Sequence, residues 1–278
     1  MRKNSKKIRM QASDVVFRVA ALLLTIVICF PFLWLVLSSL KTNAEYYIQP
    51  SPLFSSDPQW SRYAYVFIDL GFWRYMINSI LLAVVCVVLN VVSSAFIAYG
   101  FARFRFRGRK FVYIVMLFTM FLPAQVSFIP QFMLFNEFNW VDTYFPIVIP
   151  QMFGAAANIL LTSQFMRAIP REMDEAAMID GANYFRIWWN VILPQAAAVL
   201  IVVAISAFLG SWKDSMGPLI YLRSEKLYTV PVALMFFQAP DQNSYLLLLA
   251  GVVISIIPTL VMYLSLIHIS EPTRPISI

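Results

Sequence analysis

The sequence predicts an all-α integral membrane protein with six transmembrane helices, and three observations support this fold class. Of the 278 residues, 60% are hydrophobic and 13% are charged, whereas a soluble domain carries about 25% charged residues. The apolar residues form six runs of roughly 20 residues, the length that crosses a bilayer core of about 30 Å. Within each run the apolar residues are continuous and do not alternate with polar ones, as they would in the strands of a membrane barrel. Because an open sheet edge also cannot face lipid, we expect helices and no strands. The six predicted spans cover residues 19–40, 76–102, 111–134, 144–166, 190–212 and 244–266.

The first run is predicted to be a permanent anchor. It extends from Val19 to Leu40, which is longer than the apolar core of a signal peptide, and it lacks a convincing small-residue cleavage site. We therefore expect residues 1–18 to form a cytoplasmic segment and residues 19–263 to form one membrane domain. The outer loop at about 41–74 is rich in Pro, Ser and aromatic residues, and we expect it to form a small cap.

The distribution of Lys and Arg predicts the orientation. With the N-terminus inside, the inner segments carry 14 basic residues and the outer segments carry six. Basic loops stay in the cytoplasm, so both termini and the loop between spans four and five are predicted to be cytoplasmic. The chain is then predicted to cross the membrane several times. Its net charge of +7 is divided among short loops, which does not favour a nucleic-acid partner.

One basic run needs a separate interpretation. It reads RFRFRGRK from Arg103 to Lys110 and alternates basic with aromatic residues. A nucleic-acid patch is conceivable from this pattern alone. Because both flanks are membrane spans, a tight inner loop anchored at the lipid headgroups by its arginines is favoured.

A charged, Gly-interrupted segment at about residues 167–194, here called the elbow, lies between spans four and five. Its predicted first helix runs from Arg171 to Asp180 and has an acidic first turn that suits the positive end of the helix dipole. A second short helix is predicted at about Asn183 to Asn190. An amphipathic helix on the inner leaflet is the alternative, but an acidic first turn suits a protein partner better than anionic lipid.

The elbow contains the residues that we predict to contact such a partner. Two alanines would leave a nearly bare helix face, a glycine can adopt φ > 0 and end the first helix, and a proline fits the first turn of the next helix. These predicted contact residues are Glu175, Ala176, Ala177, Gly181, Leu193 and Pro194.

The six predicted spans hold no Asp, Glu, Lys, Arg or His. Ion-coupled carriers and membrane-embedded hydrolases usually carry such groups, so the energy for any transport would have to come from a partner. The chain has no GxxxxGK[ST] phosphate loop, nucleophilic triad pattern or zinc-ligand spacing, and neither a catalytic activity, a cofactor nor a metal is predicted. Polar side chains in the spans could contact a neutral solute or only join helices. The candidates for a solute path are Asn78, Asn90, Gln125, Gln131 and Asn158.

The C-terminal residues resemble a translated sequencing adapter. The string LSLIHISEPTR begins at Leu264, and we expect residues 264–278 to be non-native. His268, the only histidine, belongs to this tail and is therefore given no functional role.

The chain resembles the MalG-like branch of carbohydrate-uptake permeases of ABC importers. The resemblance covers nearly the whole chain to about Met262 and is carried by the strings AYGFARFRFRGRK, LPAQVSFIPQF, IPREMDEAAMIDGANYFRIWWNVILP and FLGSWKDSMGPLIYL. It implies a MetI-like (type I ABC importer) permease fold, and it implies that the elbow is the EAA loop that couples the permease to an ATPase. Lys213 and Ser215 depart from the usual pattern, which weakens any inference about the solute.

The resemblance also implies a location in the bacterial cytoplasmic (inner) membrane, and it implies partners. These are a second permease subunit, an ABC ATPase dimer, an extracytoplasmic solute-binding protein and a carbohydrate solute, with the lipid bilayer around them. An importer of glycerol phosphate esters is the alternative within this class. A self-sufficient secondary carrier and a non-transporting membrane scaffold are the alternatives from other classes.

Overall fold

The structure, a computed structural model, describes the backbone of residues 2–237 and 242–270 and the side chains of residues 15–237 and 245–265. Within these ranges the chain is helical, and no strand is present. The principal helices are α1 (Arg2–Ser39), α2 (Asn43–Tyr47), α3 (Ser61–Ala64), α4 (Phe72–Arg103), α5 (Arg109–Thr119), α6 (Ala124–Glu137), α7 (Phe145–Val148), α8 (Ala156–Ala168), α9 (Glu172–Ile179), α10 (Tyr184–Ile187), α11 (Leu193–Gln195), α12 (Ala197–Trp212), α13 (Met216–Tyr221), α14 (Val230–Phe236) and α15 (Gln242–Ser270).

Four stretches of the described chain are long and apolar enough to cross a bilayer as they stand. They are Val15–Ser39, Phe72–Arg103, Phe145–Ala168 and Tyr245–Ser265, which correspond to predicted spans one, two, four and six. The number becomes six when two bent helix pairs each count as one span. The all-α membrane fold expected from composition is therefore confirmed.

Predicted span three is bent by 100° between α5 and α6. Pro123 lies at the bend with ψ 132°, so it begins α6 from an extended conformation. A proline cannot donate a backbone hydrogen bond, and it disfavours the helical conformation of the residue before it. An apolar run that looks continuous in sequence therefore folds as two helices.

Predicted span five is bent by 82° just before α12. Pro194 is the second residue of the short helix α11, before the bend and three residues before α12 begins. The bend falls at Ala196, which has φ −85° and ψ 3°. Since Pro194 cannot donate to the carbonyl four residues earlier, the regular hydrogen-bond ladder is interrupted immediately before this bend.

The centre of the larger helical unit is α4, which packs against α8 and α12. Its buried face carries Ala95, Ala98 and Ala102, each exposed by 3% or less. Small side chains at this spacing lie on one helix face and let neighbouring helices approach closely.

A glycine marks the closest approach of α4 to the chain before α8. Gly154 has φ +70°, and a Cβ at this position would lie 2.9 Å from Ser94 Oγ and 3.2 Å from Ile159 Cδ1. Only glycine adopts this left-handed conformation readily and also leaves the Ser94 and Ile159 side chains where they are.

The chain divides into two compact units, residues 1–70 with 237–256 and residues 71–236 with 257–278. Helix α15 contributes to both. Most of the predicted non-native tail lies outside the described residues, because the His268 side chain and residues 271–278 are not described. The assignment of residues 264–278 as non-native, like the division into 1–18 and 19–263, remains a prediction.

The smaller unit contains the predicted cap. Thr42 Oγ1 accepts a hydrogen bond from the Glu45 backbone N–H, and the Glu45 carboxylate accepts from the Thr42 N–H, which forms a capping box at α2. The same carboxylate accepts hydrogen bonds from Ser55 Oγ at 2.6 Å and from the Ser56 N–H at 2.8 Å. These bonds favour the ionised form and lower the pKa of Glu45 to about 2. One carboxylate therefore organises this part of the loop, and the small cap expected from the sequence stays a prediction.

Candidate functional site

The first helix of the elbow ends in a complete Schellman motif. The Ala182 N–H donates to the Ala177 carbonyl at 2.9 Å, and the Gly181 N–H donates to the Met178 carbonyl at 3.0 Å. Gly181 has φ +79°, as its position after the helix predicts. The chain therefore reverses direction between α9 and α10 through a turn whose backbone groups are paired.

The second arm of the elbow is fixed to the membrane helices. It runs through α10, a π-helical turn at Trp188–Ile192 and α11, so it extends beyond the predicted end at Asn190. Ile187, Trp188 and Ile192 are at most 4% exposed and belong to a buried cluster with residues of α4, α8 and α12. The elbow is therefore part of the packed core and not a helix lying loosely on a surface.

The opposite side of the elbow exposes large apolar side chains. Ile179 is 87% exposed at the tip of α9, and Phe185 is 61% exposed on α10. Large apolar side chains this exposed lower solubility, and an exposed apolar patch usually marks a contact surface. We call this surface, made of Met178, Ile179, Tyr184, Phe185 and Trp189, the apolar tip.

The predicted contact residues divide between the two sides. Glu175, Ala176, Gly181 and Pro194 are exposed. Ala177 and Leu193 are half-buried and pack against the buried cluster that anchors the elbow. The expectation that Ala176 and Ala177 together form one bare outer face is therefore wrong. Residues one apart on a helix point about 100° apart, and only Ala176 points outward.

An ion pair joins the elbow to the end of α4. Arg103 Nε lies 2.8 Å from Asp174 Oδ2, and the two side chains are 5% and 11% exposed. Arg103 Nη1 also donates to the Ile169 carbonyl at 3.0 Å. Asp174 and Arg103 are thus paired within the chain. Asp174 does not face a partner, and Arg103 does not reach the lipid headgroups as the basic run suggested.

Burial affects the charge of this pair. Desolvation raises the pKa of Asp174 above its ordinary value, and the nearby Arg103 charge partly offsets the rise. Asp174 Oδ1 and Arg103 Nη2 are buried and have no hydrogen-bond partner within the described part of the chain. The stability of the pair therefore depends on both charges being present.

Two of the predicted solute-path residues form a buried polar cluster between α4 and α8. Asn158 Nδ2 donates to Asn90 Oδ1 at 2.8 Å, and Asn90 Nδ2 donates to Gln151 Oε1 at 3.0 Å. Asn90 and Asn158 are 2% and 6% exposed. Their amides are used in helix contacts, which is the plainer of the two interpretations open from the sequence.

The other three candidates lie elsewhere. Asn78 Nδ2 donates to the carbonyls of Lys226 and Tyr228, so it joins α4 to the chain before α14. Gln131 Oε1 accepts from the Tyr221 hydroxyl at 3.4 Å. Gln125 is exposed at the start of α6. The structure does not bring the five candidates together in one site.

Several important residues were not singled out from the sequence. The exposure of Ile179 depends on the turn that follows it, and the pairing of Arg103 with Asp174 joins distant segments. A signal for the apolar tip did exist, because Met178, Ile179, Tyr184 and Phe185 flank the Asp180-Gly181 turn in an otherwise charged loop. A signal for Gln151 also existed, because it follows Pro150 and comes three residues before Gly154, where the chain breaks before α8.

Comparisons with known proteins match this arrangement to transport proteins. Residues 90–272 match the family described as binding-protein-dependent transport system inner membrane component. The arabinooligosaccharides transport system permease protein AraQ of Halalkalibacterium halodurans is 30% identical over 84% of this chain and 85% of its own. The trehalose/maltose transport system permease protein MalG of Thermococcus litoralis is 30% identical over 88% of this chain and 89% of its own.

The fold has a solved counterpart. A chain in the crystal structure of a bacterial ABC transporter involved in the import of the acidic polysaccharide alginate superposes with a TM-score of 0.81. The superposition covers 94% of this chain and 97% of that one at 24% identity, which supports a common fold.

Proposed function

Because the chain belongs to the family of binding-protein-dependent transport system inner membrane components, we propose that it is a permease subunit of an ATP-driven importer for a sugar or oligosaccharide. As a member, it is a multi-pass, non-catalytic transport component. The partners that we propose are a second permease subunit, an ABC ATPase dimer and an extracytoplasmic solute-binding protein.

The observation that carries the proposal is the two-sided elbow. One side is anchored by buried residues, Ile187 and Ile192 among them, while the other presents the apolar tip. An ATPase surface that covered Ile179 and Phe185 would remove apolar area from water and so bind the elbow. The exposed Glu175 and Ala176 lie on the same helix as Ile179 and would be part of that contact.

The anchoring of the elbow suggests how an ATPase movement would reach the membrane. The Arg103–Asp174 pair joins α9 to α4, and Trp188 and Ile192 join the second arm to α4, α8 and α12. A tightly packed group of this kind moves as a unit, because packed cores switch between arrangements and do not deform continuously. We infer that a shift of the elbow would tilt these helices together.

The contacts between loops support the orientation predicted from Lys and Arg. The Asp142 carboxylate accepts hydrogen bonds from the N–H groups of Arg223 and Ser224 at 2.9 and 2.8 Å, so two loops predicted to be external lie together. Arg103 and Asp174, both predicted to be cytoplasmic, also lie together. Segments in contact at a membrane surface belong on one side of it, and the basic residues favour the cytoplasm for the elbow.

The proposal of a sugar as solute is based on relatives and on charge. The two relatives above are named for arabinooligosaccharides and for trehalose and maltose. The spans provide no cation for a phosphate ester and no acid for ion coupling, which disfavours both the glycerol phosphate importer and the secondary carrier. Neutral hydroxyl-rich solutes remain compatible with such spans.

The apolar tip provides the test. We expect Ile179→Ser to leave membrane insertion unchanged, since the side chain is 87% exposed, and to weaken ATPase binding about 10- to 100-fold, the equivalent of one fully buried aliphatic side chain. Binding would be measured by co-purification, and uptake of labelled maltose and arabinooligosaccharides would be measured in proteoliposomes with all partner subunits. Gln195→Ser, also exposed but away from the tip, is the matched control.

Two results would contradict the proposal. Uptake driven by an ion gradient through this chain alone would favour a secondary carrier. Normal ATPase binding by the Ile179→Ser variant would show that the apolar tip is not the docking surface.

A further inference from the structure

An open cavity of about 850 Å³ lies at the start of the elbow, between the loop that joins α4 to α5, the first turns of α5 and the last turn of α8. Its lining includes four cationic side chains and no carboxylate among the described residues. The four are Arg105, Arg109, Lys110 and Arg167. Like charges held this closely repel one another, so the cavity favours a bound anion that offsets the repulsion.

Two of the cations are held in place by the chain itself. Arg109 Nη2 donates to the Phe101 carbonyl at 2.6 Å. The Arg167 guanidinium stacks over the ring of Tyr113 at 5.1 Å from its centroid. Arg105 and Lys110 are exposed at the cavity. Part of the site is therefore organised before any ligand binds, which lowers the entropic cost of binding.

The position of the cavity indicates the source of the anion. Arg109 begins α5 and Arg167 lies in the last turn of α8, so both lie at the ends of predicted membrane spans. Apolar side chains also line the cavity, and Phe111 is 70% exposed while Phe106 is 47% exposed. A cationic pocket with an apolar side at this level matches a lipid, whose phosphate and acyl chains are adjacent.

We propose that this cavity binds the phosphate of an anionic phospholipid, with the acyl chain lying along Phe111. Arg109 and Arg167 would position the phosphate, while Arg105 and Lys110 would complete its neutralisation through charge-assisted hydrogen bonds. The bound lipid would hold the short loop between α4 and α5 against the membrane, next to the elbow. All of the lining residues belong to this chain, so lipid binding can be tested on the chain alone.

The test measures lipid binding to the purified full-length chain after its native lipids are removed in detergent. Native mass spectrometry would count bound dioleoylphosphatidylglycerol and, separately, dioleoylphosphatidylcholine at about 0.15 M salt, where distant charges are screened. We expect tighter binding of phosphatidylglycerol, and at least about tenfold weaker binding in Lys110→Gln and in Arg105→Gln. Both side chains are exposed, so these variants should keep the melting temperature of the lipid-free chain.

Arg107→Gln is the matched control. It removes the same charge from the same loop, but Arg107 is exposed and does not line the cavity. We expect its phosphatidylglycerol affinity to change by less than about threefold, because its side chain does not line the cavity and an exposed charge without a direct, well-formed contact contributes little.

Three outcomes would overturn the proposal. One is equal binding of the two lipids, and another is an equal loss of binding in the cavity variants and in Arg107→Gln. The third is complete displacement of phosphatidylglycerol by inorganic phosphate at millimolar concentration. The site would then bind a free anion, and the acyl chain would add nothing to the affinity.

Discussion

At the scale of single residues, Gly181 determines the shape of the elbow. A Cβ at this position would meet nothing within 4 Å, so only the left-handed backbone at φ +79° requires glycine. We expect Gly181→Val to strain the turn by about 1–2 kcal/mol, misplace the apolar tip and reduce ATPase binding and transport, while membrane insertion stays normal. Gly181→Asn is the matched control, since asparagine tolerates this conformation and should retain most activity.

Co-purification with the ATPase and membrane levels of the two Gly181 variants would be measured together. If the valine variant assembled and transported normally, the turn at Gly181 would not be needed for coupling to the ATPase. The substitution Ala177→Asp would act through packing and not through the docking surface. Ala177 packs against the buried cluster, so a carboxylate there would disrupt the elbow itself.

The Arg103–Asp174 pair leads to a second prediction at this scale. Asp174→Asn leaves a buried Arg103 charge without its partner, which we expect to destabilise the attachment of the elbow by about 3–5 kcal/mol. The double change Arg103→Gln with Asp174→Asn should recover much of this loss, because it removes both charges. A double-mutant cycle on thermal unfolding measures the coupling. Single and double variants whose losses simply add would show that the pair does not connect α4 to the elbow.

At the scale of elements, Glu45 organises the first part of the predicted cap at about residues 41–74. Hydrogen bonds from Ser55 and Ser56 hold the pKa of Glu45 at about 2, below its ordinary value of 4.5. A lowered pKa means that the contribution to cap stability is complete above pH 4.5 and is lost as the pH falls through 2. Acidification toward pH 2 should therefore loosen the loop that carries these serines.

Hydrogen–deuterium exchange of residues 51–60 would be measured at each pH for the natural sequence and for Glu45→Gln. Comparing the two proteins at the same pH cancels the intrinsic pH dependence of exchange. At pH 5 the variant should exchange faster than the natural sequence, and the difference should disappear near pH 2. A difference that stays constant over this range would mean that ionisation of Glu45 does not order the cap.

At the scale of the whole molecule, the orientation leads to the broadest prediction. A reporter fused after Arg171 should be cytoplasmic and one fused near Glu137 external, because basic residues concentrate on the side of the elbow. Protease protection of each fusion in sealed vesicles provides an independent measurement. The opposite pair of locations would require the elbow to face away from any cytoplasmic ATPase.

Local features of this fold could be predicted from the sequence, whereas features that join distant segments could not. Six apolar runs predict the spans, and a glycine after an acidic helix predicts the turn at Gly181. Pro123 and Pro194 show the limit of prediction from the sequence, because a proline in an apolar run looks the same whether it bends a helix or begins one. The inward direction of Ala177 and the burial of Arg103 depend on packing between helices, which no local pattern contains.

The bend before α12 has a consequence for the lipid around the molecule. Helix α12 has 16 residues, which at 1.5 Å per residue gives a length of about 24 Å, less than the bilayer core of about 30 Å. The arm before the bend lies at 82° to α12 and adds little to this length. A span this short is accommodated by local thinning of the bilayer or by flanking residues that reach to the interface. We therefore expect headgroups and water to reach further inward beside the bend than along the 32-residue helix α4.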